Sequence, residues 1–125
     1  VELAEQVDRV SGELGLKTRA LIQVNIAQDD AKFGFSESQI ESVFESLLAK
    51  ENIEILGLMT IPELETSPEK TRVHFANLRE LRDRLSVYSG QSLPELSMGM
   101  SHDYIVAIEE GATLVRVGSS IFGSR

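Results

Sequence analysis

A chain of 125 residues has the length of one domain, and 42% hydrophobic with 26% charged residues is a globular composition. The net charge of −8 disfavours nucleic acid and anionic membranes as partners, and no apolar stretch is long enough to span a bilayer. There is no cysteine and there are only two, widely separated histidines, so the sequence offers no disulfide and no convincing metal site. We therefore expect a cytoplasmic protein without a bound metal.

Helix and strand patterns alternate from the first residue onward. Residues 1–14 carry the apolar spacing of a helix that stops at Gly15. Residues 20–27 are a run of β-formers typical of a strand covered on both faces. Ser36 and Gln39 have the spacing of a capping box, which predicts that the next helix begins there.

The second half of the chain continues the same alternation. Its predicted elements are a strand at 53–60, a helix with Ser67 as N-cap and Pro68 as first residue, a strand at 96–100, a short helix at 101–110 and a strand at 113–117. The predicted order is αβαβαβαβ.

This alternation predicts an α/β fold whose parallel strands are joined by right-handed crossovers. Two architectures satisfy it: a complete small doubly wound domain, or four consecutive units of a (β/α) barrel, which needs about 250 residues in full. In both architectures ligands bind where the strands end. The segments expected to carry chemistry are therefore 25–35, 59–68, 97–103 and 116–123.

Two of these segments predict a phosphate site. Gly99 ends a strand and Ser101 opens the following helix, where free N–H groups and a hydroxyl point the same way. Gly118, Ser119 and Ser120 directly follow the next strand and would close the other side of the same phosphate. The alternative is routine helix capping and turn formation.

Arg116 lies within an apolar strand, between two valines. A charged group in such a position needs a partner, which is either a carboxylate in the core or a bound ligand. Nearby, Ser101, His102 and Asp103 supply the letters of a hydrolase triad, but consecutive side chains of a helix diverge and cannot converge on one substrate atom. We assign no catalytic residue.

The same residues carry a family resemblance. Residues 96–125, LSMGMSHDYIVAIEEGATLVRVGSSIFGSR, resemble the C-terminal signature of the pyridoxal-phosphate homeostasis proteins, the YggS-like family. Residues 20–35 and 55–63 are similar to two further strands of that family. Its members resemble the barrel domain of alanine racemase. The resemblance implies a parallel (β/α) barrel of this type, with residues 1–125 as about its last four units and no second domain.

The resemblance also implies a cofactor and a role. Family members bind pyridoxal 5′-phosphate (PLP) on a lysine, have no established reaction, and control the supply of vitamin B6. The positions that match their cofactor pocket are Ser101, Gly118 and Ser119 at the phosphate, Arg116 at the ring nitrogen, and Asn25, Met59 and Ser97 at strand ends. A cation beside the ring nitrogen would keep it unprotonated and limit the chemistry of the ring.

One family residue has no counterpart. The cofactor lysine belongs to the first barrel strand, and none of this chain's lysines matches it: Lys17, Lys32, Lys50 and Lys70. We therefore expect a fragment of a non-enzymatic PLP homeostasis protein. A racemase-like enzyme fragment and a cofactor-free interaction module are the alternatives. The intact protein is expected to be a monomer, whereas a half barrel with open strand edges should associate or be unstable.

Overall fold

The computed structural model describes residues 2–27, 34–62 and 67–118, over which helices and strands alternate. The helices are α1 (Glu2–Glu13), α2 (Glu37–Leu48), α3 (Pro68–Ser89) and α4 (Tyr104–Glu109). The strands are β1 (Thr18–Gln23), β2 (Ile53–Met59), β3 (Glu95–Met100) and β4 (Leu114–Arg116). The observed order of elements is the predicted one. Within these ranges, no helix has both the length and the apolar character required to cross a membrane.

The four strands form one parallel sheet in the order β1-β2-β3-β4. Because every right-handed crossover advances in the same direction, the connecting helices fall on one face of the sheet. A doubly wound domain would instead reverse its strand order and place helices on both faces. The described sheet is therefore wound in one direction, as the strands of a barrel are.

The hydrophobic core lies between this sheet and its helices. Its largest fully buried side chains come from α2, α3 and the middle strands, and each of the following is 0% exposed: Ile40, Phe44, Leu58, Phe75, Leu78, Leu81, Leu96 and Met98. In α2 and α3 the buried residues recur at helical spacing, which is why these two helices form where the pattern predicts them.

Local signals set the starts of α2 and α3. In the predicted capping box, Gln39 N donates to Ser36 Oγ at 3.2 Å and Ser36 N donates to Gln39 Oε1 at 2.9 Å. α3 begins at Pro68 as predicted, although the Ser67 side chain makes no capping hydrogen bond. Both helix starts follow from residues close together in the sequence.

The predicted end of the first strand is wrong. β1 ends at Gln23 and not at residue 27, and Val24 forms an isolated parallel bridge to Phe35. Asn25 N donates to Phe35 O at 2.7 Å, and Phe35 N donates to Gln23 O at 3.0 Å. The chain that returns at Phe35 therefore takes the hydrogen bonds that a longer strand would offer to a neighbour.

The predicted start of the last helix is also wrong. α4 begins at Tyr104, and residues 101–103 form a turn. Asp103 closes this turn twice, because Met100 N donates to its Oδ1 at 2.8 Å and its own N–H donates to Met100 O at 3.1 Å. Ser101 therefore lies in a turn before the helix and not at the helix start.

Candidate functional site

The carboxyl ends of β1, β2 and β3 are held level by main-chain hydrogen bonds. Val24 N donates to Met59 O at 2.8 Å, and Thr60 N donates to Ser97 O at 3.1 Å. Met59 and Ser97 are direct partners in the register of β2 and β3, so their side chains point to the same side of the sheet. Two of the predicted pocket residues therefore lie side by side.

Arg116 reaches across these strand ends. Its Nη1 donates to Ser97 Oγ, and its Nη2 donates to Thr60 O at 2.9 Å. The guanidinium is thus fixed over the ends of β2 and β3 by two neutral oxygens. In the described part of the chain no carboxylate forms an ion pair with Arg116. The alternative partner, a carboxylate in the core, is therefore not in direct contact with the guanidinium among these residues.

The electrostatic setting of Arg116 combines burial with one nearby negative charge. Burial lowers the pKa of the guanidinium, and the carboxylate of Asp103 acts in the opposite direction. An arginine keeps its proton at any ordinary pH. The site therefore contains a permanent, partly desolvated cation whose N–H groups can bind an acceptor.

Thr60 also belongs to the candidate site, although it is not among the predicted site residues. It is 1% exposed, its hydroxyl donates to Val24 O at 2.8 Å, and its carbonyl receives Arg116. It links the ends of three strands. The only sequence signal was a polar residue at the end of the apolar run IEILGLMT.

The turn that carries Ser101 lies at the same end of the sheet. Met100, which precedes Ser101, is the register partner of Arg116. Gly99 has φ +104°, and a Cβ there would lie 2.7 Å from the Cβ of Ala107. Glycine is therefore required for β3 to pass this close to α4 and to present the turn beside Arg116.

The remaining predicted residues are less constrained by the structure. Asn25 is partly buried just after β1, at the same end of the sheet as Met59 and Ser97. Gly118 is exposed, and no atom of the described residues lies within 4 Å of a Cβ built on it. Ser119 and Ser120, the rest of the predicted phosphate cup, lie outside the described residues, as does Lys32.

Two other kinds of site, a hydrolase triad and a metal centre, would also need histidine and acidic side chains close together. His102 Nε2 lies 3.2 Å from Asp103 Oδ2, so two residues of the apparent triad touch, in a turn and not in a helix. Across the ranges that the structure describes, there is no group of three or more histidine or acidic side chains arranged to hold a metal ion.

Comparison with known families agrees with this geometry. All of residues 1–125 match the family described as "Alanine racemase, N-terminal domain". The chain belongs to this family. The resemblance predicted from the strand-end motifs is thereby confirmed.

The curated relatives are longer proteins with one shared description. The chain is 44% identical over 123 residues to the pyridoxal phosphate homeostasis protein of Aquifex aeolicus and 37% identical over 123 residues to that of Synechocystis sp.. These matches cover 98% of this chain but only 54% and 56% of the two relatives. The chain therefore spans about half the length of the relatives it matches.

Solved structures give the same relationship. The chain superposes on PipY of Synechococcus elongatus PCC7942 with PLP bound at a TM-score of 0.87 and 34% identity, covering 98% of this chain and 57% of PipY. It also superposes on an alanine racemase of Clostridium difficile in complex with cycloserine, at a TM-score of 0.75 and 20% identity, covering 99% of this chain and 34% of the enzyme. The second likeness shows the fold alone. The fold is that of a partial (β/α) barrel.

Proposed function

We propose that this chain forms the phosphate and ring-nitrogen side of a PLP-binding barrel, and that the protein acts in cytoplasmic PLP homeostasis without catalysing a reaction of its own. The observation that carries the proposal is the position of Arg116, which Ser97 and Thr60 hold at the strand ends beside the Ser101 turn. The similarity to homeostasis proteins and to PipY with PLP bound supports it.

The residues present suit the two recognisable groups of PLP. A phosphate needs hydroxyl and N–H donors, which Ser101 and the backbone of Gly118 and Ser119 would supply. The ring nitrogen would face Arg116, whose guanidinium has donors and no acceptor and therefore favours an unprotonated nitrogen. PLP acts as an electron sink in catalysis, and an unprotonated ring is a weaker sink. This arrangement supports binding without broad reactivity.

The lysines that the structure describes do not provide a covalent anchor at this site. Lys17 and Lys50 precede β1 and β2, so both lie at the amino ends of the strands, opposite the site. Lys70 is exposed in the first turn of α3. We therefore propose that this chain binds PLP reversibly and that a covalent link would need a lysine other than the described ones.

Titration of the 125-residue chain with PLP, followed by the absorbance of the cofactor, tests this proposal. Pyridoxal, which lacks the phosphate, should bind at least about tenfold more weakly if the site recognises phosphate by charge-assisted hydrogen bonds. Arg116→Met should weaken PLP binding while Val87→Gln, at an 85% exposed position on α3, should not. Equal affinity for PLP and pyridoxal, or no binding, would refute the proposal. Racemisation of alanine would favour the enzyme alternative.

The sheet edges support a second proposal, about assembly. Beside β1, a cavity of about 600 Å³ is lined by α1, α2 and the first two strands, and Leu3 at its wall is 71% exposed. Beside β4, Ile105, Ile108 and Leu114 are 62%, 54% and 46% exposed. Open edges and large exposed apolar side chains favour association. We propose that the 125-residue chain self-associates through these edges.

A further inference from the structure

Asp103 is a buried carboxylate in the turn that carries Ser101. Its side chain is 4% exposed, Oδ1 accepts Met100 N at 2.8 Å, and Oδ2 lies 3.2 Å from His102 Nε2. Its main-chain N–H donates to Met100 O at 3.1 Å. One residue therefore closes both sides of the turn in which Ser101 lies.

The charge of Asp103 also acts on the other functional group of the site. Arg116 is held by neutral oxygens. The Asp103 carboxylate lies beside it at the strand ends, because Oδ1 binds the main chain of Met100 and Met100 is the register partner of Arg116. The charge of Asp103 opposes the effect of burial on the pKa of Arg116. A ligand that presented an unprotonated ring nitrogen to Arg116 would bring no countercharge at that point. The countercharge would then have to remain in the protein.

A carboxylate close to an anion site is unfavourable for the ligand by charge alone, because like charges repel. The hydrogen bonds of the turn explain the position of Asp103 but not its charge, because a neutral amide oxygen could accept Met100 N equally well. We infer that Asp103 is a positioning residue that fixes the Ser101 turn and balances the charge of Arg116, so that both ends of the site are held by one carboxylate. This inference rests on the proposed function and names a residue on which that function depends.

Asp103→Asn separates this inference from a purely repulsive role. The amide oxygen can still accept Met100 N–H, so the turn is kept, while the negative charge is lost. If Asp103 only repelled the phosphate, the variant would bind PLP more tightly. If it balances Arg116, the variant should bind PLP about tenfold more weakly, the loss expected for one charge-assisted interaction.

Glu109→Gln is the matched control. Like Asp103→Asn, this variant removes one negative charge. The carboxylate of Glu109 lies in α4, is 55% exposed and accepts a hydrogen bond from Arg72. We expect less than about a twofold change in PLP affinity, as for an exposed charge screened by solvent. A loss as large as that of Asp103→Asn would show that net charge, and not position, governs binding.

A double-mutant cycle with Arg116→Met tests whether Asp103 acts through Arg116. Asp103→Asn should then have little further effect on PLP affinity, whereas two independent roles would give additive losses. A residue that served only the stability of the turn would give additive losses in PLP binding. Additive losses would therefore overturn the inference.

Folding is checked by circular dichroism and thermal melting of each variant. If Asp103→Asn does not fold, Asp103→Glu replaces it, since this variant keeps the charge and displaces the carboxylate from Met100 N. It should bind both PLP and inorganic phosphate more weakly, and unchanged binding would refute the inference. The failures can be told apart: a wild-type chain that binds no PLP refutes the proposed function, whereas a wild type that binds and an Asp103→Asn variant that binds equally or more tightly refute the inference alone.

Discussion

The side chains at the strand ends of this molecule are bonded to one another or to the main chain, whereas those at the sheet edges are exposed to solvent. At the strand ends, the polar groups of Thr60, Ser97, Asp103 and Arg116 bind one another or the main chain at short range. At the edges, large apolar side chains such as Leu3 and Leu14 are 71% and 66% exposed. Hydrogen bonds formed within the described residues therefore define the site, while the edges present surface suited to contact with further chain.

This difference is informative because the two regions are built from the same elements. The hydrogen-bonded part of the candidate site needs only adjacent strands in the correct register, which the four described strands have. The apolar side chains at the edges would be buried only by protein packed beside β1 and beside β4. A four-stranded unit can thus hold the polar side chains of the candidate site in place while leaving large apolar side chains at its edges exposed.

The largest expected effect on the strand ends comes from separating β2 from β3. A Cβ on Gly57 would lie 1.7 Å from the main-chain oxygen of Glu95, its register partner. We expect Gly57→Ala to lower the free energy of unfolding by about 3 kcal/mol, the upper end of the usual cost of overpacking, since the strands must move apart. Chemical denaturation measures this change.

Gly90→Ala is the control for that substitution. Gly90 has φ +72° and nothing within 4 Å of a built Cβ, so the variant should lose only about 1 kcal/mol from the left-handed conformation. Equal losses in the two glycine variants would show that the close approach of β2 and β3 is not what Gly57 provides.

A smaller change tests the link between the strand ends. Thr60→Val keeps the shape of the side chain but leaves Val24 O without its hydroxyl donor, which should cost about 1 to 3 kcal/mol of stability. Because the carbonyl of Thr60 also holds Arg116, PLP binding should weaken as well.

Thr71→Val distinguishes these two effects. Thr71 is equally buried and donates to Pro68 O at 2.7 Å within α3, outside the strand-end network. This variant should lose stability without loss of PLP affinity in a titration of the folded protein. Weakened PLP binding in Thr71→Val would mean that the strand-end network is not specific to the site.

The edges give the smallest expected effect on stability and a clear effect on assembly. Leu14→Gln combined with Ile108→Gln should change the free energy of unfolding by only about 0.5 kcal/mol at each exposed position. Sedimentation velocity across a range of concentrations should show less association than the wild type. Val87→Gln, on the outer face of α3, should associate as the wild type does. A wild-type chain that stays monomeric at high concentration would refute the assembly proposal.

The predictions that the structure confirmed depend on short stretches of sequence. The Ser36 capping box and Pro68 fix two helix starts through residues three or four apart, and periodic apolar residues fix the helices that follow. The two boundary errors have a different cause. β1 ends early because Phe35 returns to its edge, and α4 starts late because Asp103 folds back on Met100. Neither contact leaves a periodic signal in the sequence.

The same division holds for the candidate site. An arginine inside an apolar strand already implied a nearby partner, and the motifs at 96–103 and 115–123 predicted a site at the strand ends. The partners themselves were not predictable. Ser97 is a strand residue 19 positions before Arg116, and the role of Asp103 was obscured by the apparent triad of which it is the third letter.

By itself the sequence determined the alternation of helices and strands and the family to which the chain belongs, and it selected the carboxyl ends of the strands as the candidate site. Only the tertiary structure decided which atoms meet Arg116. One of them is the main-chain oxygen of Thr60, 56 residues away, and a carbonyl is the same group in every residue type. Strand register, which the whole sheet sets, selects that oxygen, so the residue letters alone could not reveal it.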